Sequence, residues 1–227
     1  MMAQKGRFMK IVTIGDSITV GTYTSETDSS PNSVVQRNFS EVVKDKLGCD
    51  TLINYAHNGI SISTTAPVFP EKAIVTRYLI MEEADIVLVC AGTNDFGNGV
   101  AIGSPQDTED SSFYGAVDIL FSGLKKKYPN SEIYIVEPIH RFDELENKIG
   151  LSLESYRTAL EEKAGQYGIP TIDGFKVPID PKLDLHRKLY AKDGLHINQE
   201  GHRLYGEYIY QKILDIRKVN KHGNLSL

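Results

Sequence analysis

The clearest indication of the fold is the segment Ile11-Val12-Thr13-Ile14-Gly15-Asp16-Ser17-Ile18. Its first four residues form an apolar run that is nearly continuous, as expected of a strand covered on both faces of a parallel sheet. The glycine and the polar residues that follow require a sharp turn of the backbone. The run therefore predicts a buried strand with Ser17 at its carboxyl end.

Similar apolar runs recur along the chain, and the segments between them have helical spacing. The predicted strands are 11–14, 52–55, 86–91, 133–136 and 171–172. The predicted helices are 33–47, 70–81, 111–128, 151–167 and 199–219. This alternation predicts an α/β fold, a parallel sheet with right-handed helical crossovers. Ligands collect at the carboxyl ends of such strands, so the irregular segments 19–32, 96–110, 139–150 and 176–194 are expected to line the substrate site.

Length and composition favour one domain. A chain of 227 residues with 41% hydrophobic content can bury one substantial core, and neither a repeat nor a linker divides it, so we expect a single domain over 1–227. Residues 1–9 are expected to be a disordered or artificial leader, and 220–227 a tail. The net charge is −5, and the lysines and arginines are scattered apart from the lysine cluster 125–127, which is typical of a solvated helix end. Nucleic acid is therefore not an expected partner.

The sequence also lacks the marks of membrane insertion. No window approaches the roughly 20 consecutive apolar residues of a spanning helix, and no long apolar signal segment precedes the first strand. The expected location is cytoplasmic, or secreted if a signal peptide has been removed. The sequence leaves the oligomeric state open.

Three side chains suggest nucleophilic catalysis. The hydroxyl of Ser17 is a poor nucleophile at neutral pH and needs an adjacent base, for which His196 in Asp193-Gly194-Leu195-His196 is the candidate. Asp193, three residues earlier, can hold the other ring nitrogen, fix the tautomer and stabilise the imidazolium that forms. We therefore predict Ser17 as nucleophile, His196 as base and Asp193 as the acid that orients the base.

Attack on an ester carbonyl also requires donors for the developing oxyanion. The candidates are the Ser17 amide, the Gly59 amide and the side-chain amide of Asn94, because all three follow predicted strands. Each motif alone is equally consistent with an ordinary turn. Their joint order, strand context and residue types favour catalysis.

These blocks resemble those of the SGNH hydrolases, also called GDSL-type lipases and esterases, over about residues 10–219. By motif position, Ser17, Gly59, Asn94 and the pair Asp193 and His196 are similar to the family's nucleophile, oxyanion donors, acid and base, and Asn54 also fits its second block. The resemblance implies a three-layer α/β/α sandwich with a five-stranded parallel sheet (flavodoxin-like), and no metal or organic cofactor. Ile18 replaces the family's usual leucine, a conservative apolar change.

Other residues carry weaker signals. Cys49 and Cys90 are expected to be free and buried. His57 is expected to be a solvated side chain. Three further histidines, His140, His186 and His202, lack zinc-binding spacing, so no metal site is predicted. Nucleotide-binding fingerprints are also absent from the sequence. The loop aromatics, Tyr23, Phe69 and Phe96, are interpreted equally well as pocket walls or as packing residues.

The predicted function is a serine esterase that forms an acyl-enzyme on Ser17. The preferred substrates are small-molecule or carbohydrate esters with short acyl groups such as acetyl, because no long apolar lid segment is evident. One alternative is a thioesterase or lysophospholipase for longer acyl chains. An alternative of another class is a non-catalytic domain that binds carbohydrate or protein.

Overall fold

Five parallel strands form the centre of the structure, a computed structural model that describes residues 8–23 and 33–223. In chain order these strands are β1 (Lys10–Gly15), β4 (Thr51–Asn54), β5 (Ile86–Cys90), β6 (Glu132–Val136) and β7 (Thr171–Ile172). They lie side by side in the order β4-β1-β5-β6-β7. A separate antiparallel ribbon pairs β2 (Thr22–Tyr23) with β3 (Ser33–Val34).

Helices cover both faces of this sheet. They are α1 (Ser17–Val20), α2 (Phe39–Leu47), α3 (Ile74–Arg77), α4 (Thr93–Asn98), α5 (Phe113–Lys127), α6 (Leu153–Gln166), α7 (Asp184–Arg187) and α8 (Gln199–Gly223). Short 3₁₀ turns lie at Pro70–Lys72, Tyr78–Ile80 and Gly174–Lys176. The predicted three-layer α/β/α sandwich with a five-stranded parallel sheet is confirmed.

Alternate residues of each strand pack into two separate hydrophobic cores, one on each face of the sheet. On β1, Ile11 packs with α2 and α8 on one face, whereas Val12 packs with α3, α5 and α6 on the other. Both side chains are fully buried. This double coverage explains why the strands appear in the sequence as continuous apolar runs.

The strand predictions agree with the structure to within one residue at each end, but two helix predictions need correction. The helix predicted to start at Ser33 begins at Phe39, because Asn38 caps it in a reciprocal capping box with Glu41 and Ser33 belongs to β3. The helix predicted over 70–81 is three short pieces, because Ala73 adopts extended backbone between the first two.

Smaller features also bear on the sequence predictions. Cys49 and Cys90 are buried and free, and Ile18 is packed in the core beside α2 and α8. The prediction for the leader 1–9 falls outside the described residues except at 8–9, and so does 24–32 of the predicted loop 19–32. Of the predicted tail 220–227, residues 220–223 continue α8 and 224–227 lie outside the described residues. In the described ranges, none of the helices is long and apolar enough to cross a membrane.

Candidate active site

The side chains of Ser17, His196 and Asp193 form a continuous chain of contacts. The Ser17 hydroxyl lies 2.7 Å from Nε2 of His196, and Nδ1 of the same ring lies 2.7 Å from a carboxylate oxygen of Asp193. A carboxylate only accepts, so Nδ1 donates to Asp193 and Nε2 is free to accept the hydroxyl proton. The structure therefore brings together the three side chains that the sequence singled out for nucleophilic catalysis.

Asp193 is held as a carboxylate. Partial burial acts to raise its pKa, but hydrogen bonds from the His196 ring and from the backbone amides of Leu195 and His196 outweigh this effect and lower the pKa to about 2. An ionised Asp193 can stabilise an imidazolium at His196.

A tight loop carries Asp193 and His196. Tyr190 and Ile197 form an antiparallel bridge at its base, and the amide of Ala191 donates to the carbonyl of His196 at 2.8 Å. Gly194, at the tip, has φ +64°, a conformation that residues with a Cβ adopt at a cost. Backbone bonds of the loop thus fix the base together with the hydrogen bonds that the Asp193 side chain accepts.

Ser17 opens α1 directly after β1, and Asp16 caps that helix. The Asp16 carboxylate accepts from the Ile18 amide at 2.9 Å and is only 2% exposed. Its burial raises its pKa to about 6. Among the described residues, the Ser17 amide donates to no protein acceptor, so this N–H remains available beside the hydroxyl.

Hydrogen bonds connect the other two candidate donors, Asn94 and Gly59, to each other and to β1. The side-chain amide of Asn94 donates to the carbonyl of Ile60 at 2.8 Å, and the backbone amide of His57 donates to the carbonyl of Gly15 at 3.0 Å. Gly59 has φ +75°, and within the described ranges its amide makes no protein hydrogen bond. These bonds connect the segment around Gly59 to Asn94 and to the carboxyl end of β1, the strand that leads into Ser17.

Asp95 supports this arrangement, although no sequence pattern singled it out. It is fully buried, and its carboxylate accepts from the amides of Ile62 and Ser63 at 2.9 and 3.0 Å. Burial raises its pKa to about 7. The residue after Asn94 thus fixes the segment that follows Gly59.

Arg141 is a second supporting residue that sequence reasoning missed. One guanidinium nitrogen donates to the carbonyl and hydroxyl of Thr93 at 3.1 and 3.0 Å, and the group lies over the ring of Phe96. Since Thr93 precedes Asn94, Arg141 holds the first turn of α4. Its partner lies 48 residues away in the chain, so no local pattern signals the contact.

Other predicted candidates fall in different places. Phe96 is buried in the core and is a packing residue. His202 is fully buried, and its Nδ1 accepts from the Phe39 amide. His57 is not a solvated side chain as predicted, because both ring nitrogens have protein partners and the ring packs against Phe69. In the part of the chain that the structure describes, no group of three His, Cys, Asp or Glu side chains forms a metal-binding cluster.

Comparison with known proteins defines the class. Residues 13–204 match the GDSL-like Lipase/Acylhydrolase family, and the chain belongs to that family. The predicted resemblance is therefore confirmed, and so is the prediction of a hydrolase that acts on ester bonds. No curated protein gave a significant match.

Several solved structures share the fold. A protein from Lactobacillus plantarum is 24% identical, with 92% of this chain and 97% of that chain covered and a TM-score of 0.76. The lipase/acylhydrolase from Enterococcus faecalis is 19% identical, with coverages of 91% and 95% and a TM-score of 0.62. The aryl esterase of M. smegmatis is 18% identical, with coverages of 91% and 99% and a TM-score of 0.62. At these identities the likeness concerns the fold.

Proposed function

We propose that the protein is a serine esterase that hydrolyses carboxylic esters through an acyl-enzyme on Ser17, with short-chain acyl or acetyl esters of carbohydrates as its substrates. The observation that carries the proposal is the unbroken contact chain from the Ser17 hydroxyl through the His196 ring to the Asp193 carboxylate, with both distances at 2.7 Å. This is the geometry that general-base activation of a serine requires.

In the first half of the reaction, the Ser17 oxygen attacks the ester carbonyl carbon while Nε2 of His196 takes the hydroxyl proton. The carbonyl oxygen becomes an oxyanion, which accepts hydrogen bonds from the amides of Ser17 and Gly59 and from the Asn94 side chain. When the carbon–oxygen ester bond breaks, His196 returns the proton to the leaving alcohol.

In the second half, water attacks the acyl-enzyme. His196 takes a proton from the water as its oxygen bonds to the acyl carbon, and a second tetrahedral intermediate forms. The bond to Ser17 then breaks, the serine oxygen regains the proton from His196, and the carboxylic acid leaves. Asp193 stays ionised throughout and stabilises the imidazolium in both halves.

The preference for short acyl groups draws support from the surroundings of Gly59. Side-chain atoms of Val68 and Phe69 lie 3.4 and 3.5 Å from the position that a Cβ at Gly59 would occupy. These side chains stand close to the proposed oxyanion donor and limit the space beside it. A small acyl group fits such a wall better than a long chain does.

An alternative substrate class has its own supporting observation. Three large apolar side chains are exposed on the segments that follow β6 and β7, namely Leu145, Leu183 and Leu185. Both segments follow the carboxyl ends of strands, at the edge where Ser17 follows β1, and exposed apolar side chains at that edge favour an apolar substrate. A thioesterase or lysophospholipase for longer acyl chains is therefore the second candidate.

Labelling with a serine-directed fluorophosphonate tests the reaction. The wild type and Ser122→Ala, a control at an exposed serine of α5, should be labelled and active, whereas Ser17→Ala should be neither. Absence of both labelling and hydrolysis in the wild type would favour the non-catalytic binding domain. Hydrolysis that persists unchanged in Ser17→Ala would exclude Ser17 as the nucleophile.

A series of p-nitrophenyl esters from acetyl to decanoyl, with acetylated sugars alongside, tests the substrate class. We expect the highest kcat/KM at acetyl or butyryl, and deacetylation of the sugars. A maximum at octanoyl or beyond would assign the protein to the longer-chain alternative.

A further inference from the structure

A second hydrogen-bond chain ends on the peptide group of Gly59. Nδ1 of His57 lies 2.9 Å from the carbonyl oxygen of Asn58, and Nε2 of the same ring lies 2.9 Å from Nζ of Lys72. A carbonyl oxygen only accepts and an ammonium only donates. The His57 ring therefore carries its proton on Nδ1, which donates to the Asn58 carbonyl, whereas Nε2 accepts from Lys72.

The Asn58 carbonyl and the Gly59 N–H belong to one peptide group. Resonance couples the two ends of that group, so a donor on the oxygen draws electron density from the nitrogen and strengthens its N–H as a donor. Hydrogen bonds linked in series polarise one another in this way. The chain from Lys72 through His57 thus acts on the N–H proposed to meet the oxyanion.

The surroundings hold this chain in place. The ring of Phe69 packs edge-on against His57 at 5.2 Å between centroids, and Nζ of Lys72 lies 5.0 Å from the centre of that ring. Phe69 has φ +51°, and no other non-glycine residue in the described ranges has a positive φ. Strained backbone of this kind persists where the surrounding structure enforces it, often at functional sites.

The charge of Lys72 is directed at this chain. In the ranges that the structure describes, the ion pairs within 4.0 Å leave Lys72 without a carboxylate partner. On the other side of the loop, the hydroxyl of Thr22 donates to the side-chain oxygen of Asn58 at 2.7 Å, so the same residue is fixed from two directions.

We propose that His57 is a positioning residue that orients and polarises the Asn58–Gly59 peptide, and that Lys72 fixes its tautomer and supplies the positive charge. This rests on the proposed function, because it assigns the Gly59 amide to the oxyanion. Neither side chain needs to touch the substrate. Their effect is on the transition state, where the negative charge appears, and therefore on kcat more than on KM.

Three variants separate the parts of the chain. His57→Ala removes the donor to Asn58, whereas His57→Asn keeps a side-chain N–H where Nδ1 stood. Lys72→Met keeps length and apolar contact but removes the charge. The matched control is Lys127→Met, because Lys127 also donates to a carbonyl, that of Leu79 at 2.6 Å, and lies over a ring, but at the opposite end of the sheet.

With p-nitrophenyl acetate, we expect His57→Ala to lower kcat about 10-fold and Lys72→Met about 3-fold, with little change in KM, since one hydrogen bond contributes this much. His57→Asn should keep most of the kcat that His57→Ala loses, and Lys127→Met should have the kcat of the wild type. Affinity for a boronic acid, which forms a negatively charged tetrahedral adduct on serine, should fall in proportion to kcat. Unchanged kcat and boronate affinity in His57→Ala, or equal effects in Lys72→Met and Lys127→Met, would overturn the proposal.

The ¹⁵N and ¹H shifts of the Gly59 amide in the free protein give a readout that needs no activity. Loss of the bond to Asn58 should move both shifts upfield in His57→Ala and less in His57→Asn. Shifts that stay at wild-type values in both His57→Ala and Lys72→Met would reject the polarisation. If the wild type shows neither labelling nor hydrolysis, the proposed function fails, while this measurement still tests the hydrogen-bond chain. If His57→Ala does not fold, His57→Asn and Lys72→Met carry the test.

Discussion

Gly194→Ala tests how closely the base depends on its loop. A Cβ at Gly194 would stand 1.8 Å from Cδ2 of Phe142, about 2 Å closer than carbon atoms in contact normally lie. Alanine at φ +64° adds backbone strain of about 1–2 kcal/mol. The Phe142 ring lies under the guanidinium of Arg187, and the backbone amide of Phe142 donates to the Gly194 carbonyl at 3.1 Å. The ring therefore has little freedom to withdraw, and the loop that carries His196 must move instead.

The expected loss follows from that displacement. A misplacement of about 1 Å at reacting groups can lower a rate by about 10²-fold, so kcat/KM for p-nitrophenyl acetate should fall by at least about 10²-fold in Gly194→Ala. Urea unfolding should show a loss of about 2–5 kcal/mol, the sum of backbone strain and overpacking.

The double variant supplies the control. Phe142→Ala removes the ring that the new Cβ meets, so Gly194→Ala in the Phe142→Ala background should cost only the backbone strain. Activity should then lie within about 10-fold of Phe142→Ala alone, since about 1.4 kcal/mol corresponds to a factor of 10. Activity of Gly194→Ala within threefold of the wild type, or a double variant as inactive as Gly194→Ala alone, would show that the base does not depend on the contact with Phe142.

Three further predictions concern the supporting residues. Burial lowers the pKa of His202 from 6.5 to about 3, so its contribution to stability is present above pH 6.5 and is lost as pH falls toward 3. Between pH 7 and pH 5 the free energy of urea unfolding should therefore fall by about 2 kcal/mol more in the wild type than in His202→Asn. Equal falls in the two proteins would contradict this. Asp95→Ala leaves two buried amides without an acceptor and should lower the free energy of unfolding by about 2–4 kcal/mol. Asp95→Asn should be intermediate in thermal and urea unfolding. Equal stability of the wild type and both variants would exclude Asp95 as the acceptor that fixes the segment after Gly59. Arg141→Met should lower kcat about 10-fold with little change in KM, because it loosens the turn before Asn94, and a change in KM alone would contradict that reason.

The sheet was predictable because its strands are buried on both faces. An apolar run such as 86–91, with turn residues on either side, is most simply interpreted as a buried strand. The carboxyl ends of such strands then place Ser17 and Asn94 at one edge of the sheet. The start of α2 was also within reach of the sequence, since Asn38 and Glu41 carry the spacing of a capping box. The periodicity of 33–38 outweighed that signal, and the prediction was wrong there.

The supporting residues were beyond the reach of the sequence for a different reason. Asp95 contacts amides 32 and 33 residues away, and Arg141 contacts Thr93 across 48 residues, so only the folded sheet brings these groups together. His57 was interpreted as a solvated side chain because its own loop is polar. Its partner Lys72, 15 residues on, reaches it only through the turn at Phe69. Local patterns predict candidates for chemistry, and long-range contacts decide what supports them.

The two halves of the candidate site come from opposite faces of the sheet. Leu189, Tyr190 and Ile197 around the Asp193 loop pack into the core with α2 and α8, whereas Ile60 and Ile62 after Gly59 pack into the core with α3 and α5. In the proposed reaction His196 returns its proton to the leaving alcohol, so the alcohol lies toward the first face. In that reaction we expect the acyl group to extend toward Gly59, beside which Val68 and Phe69 stand. Recognition of the alcohol and of the acyl group would then depend on loops anchored in different cores, so that one could change without disturbing the other.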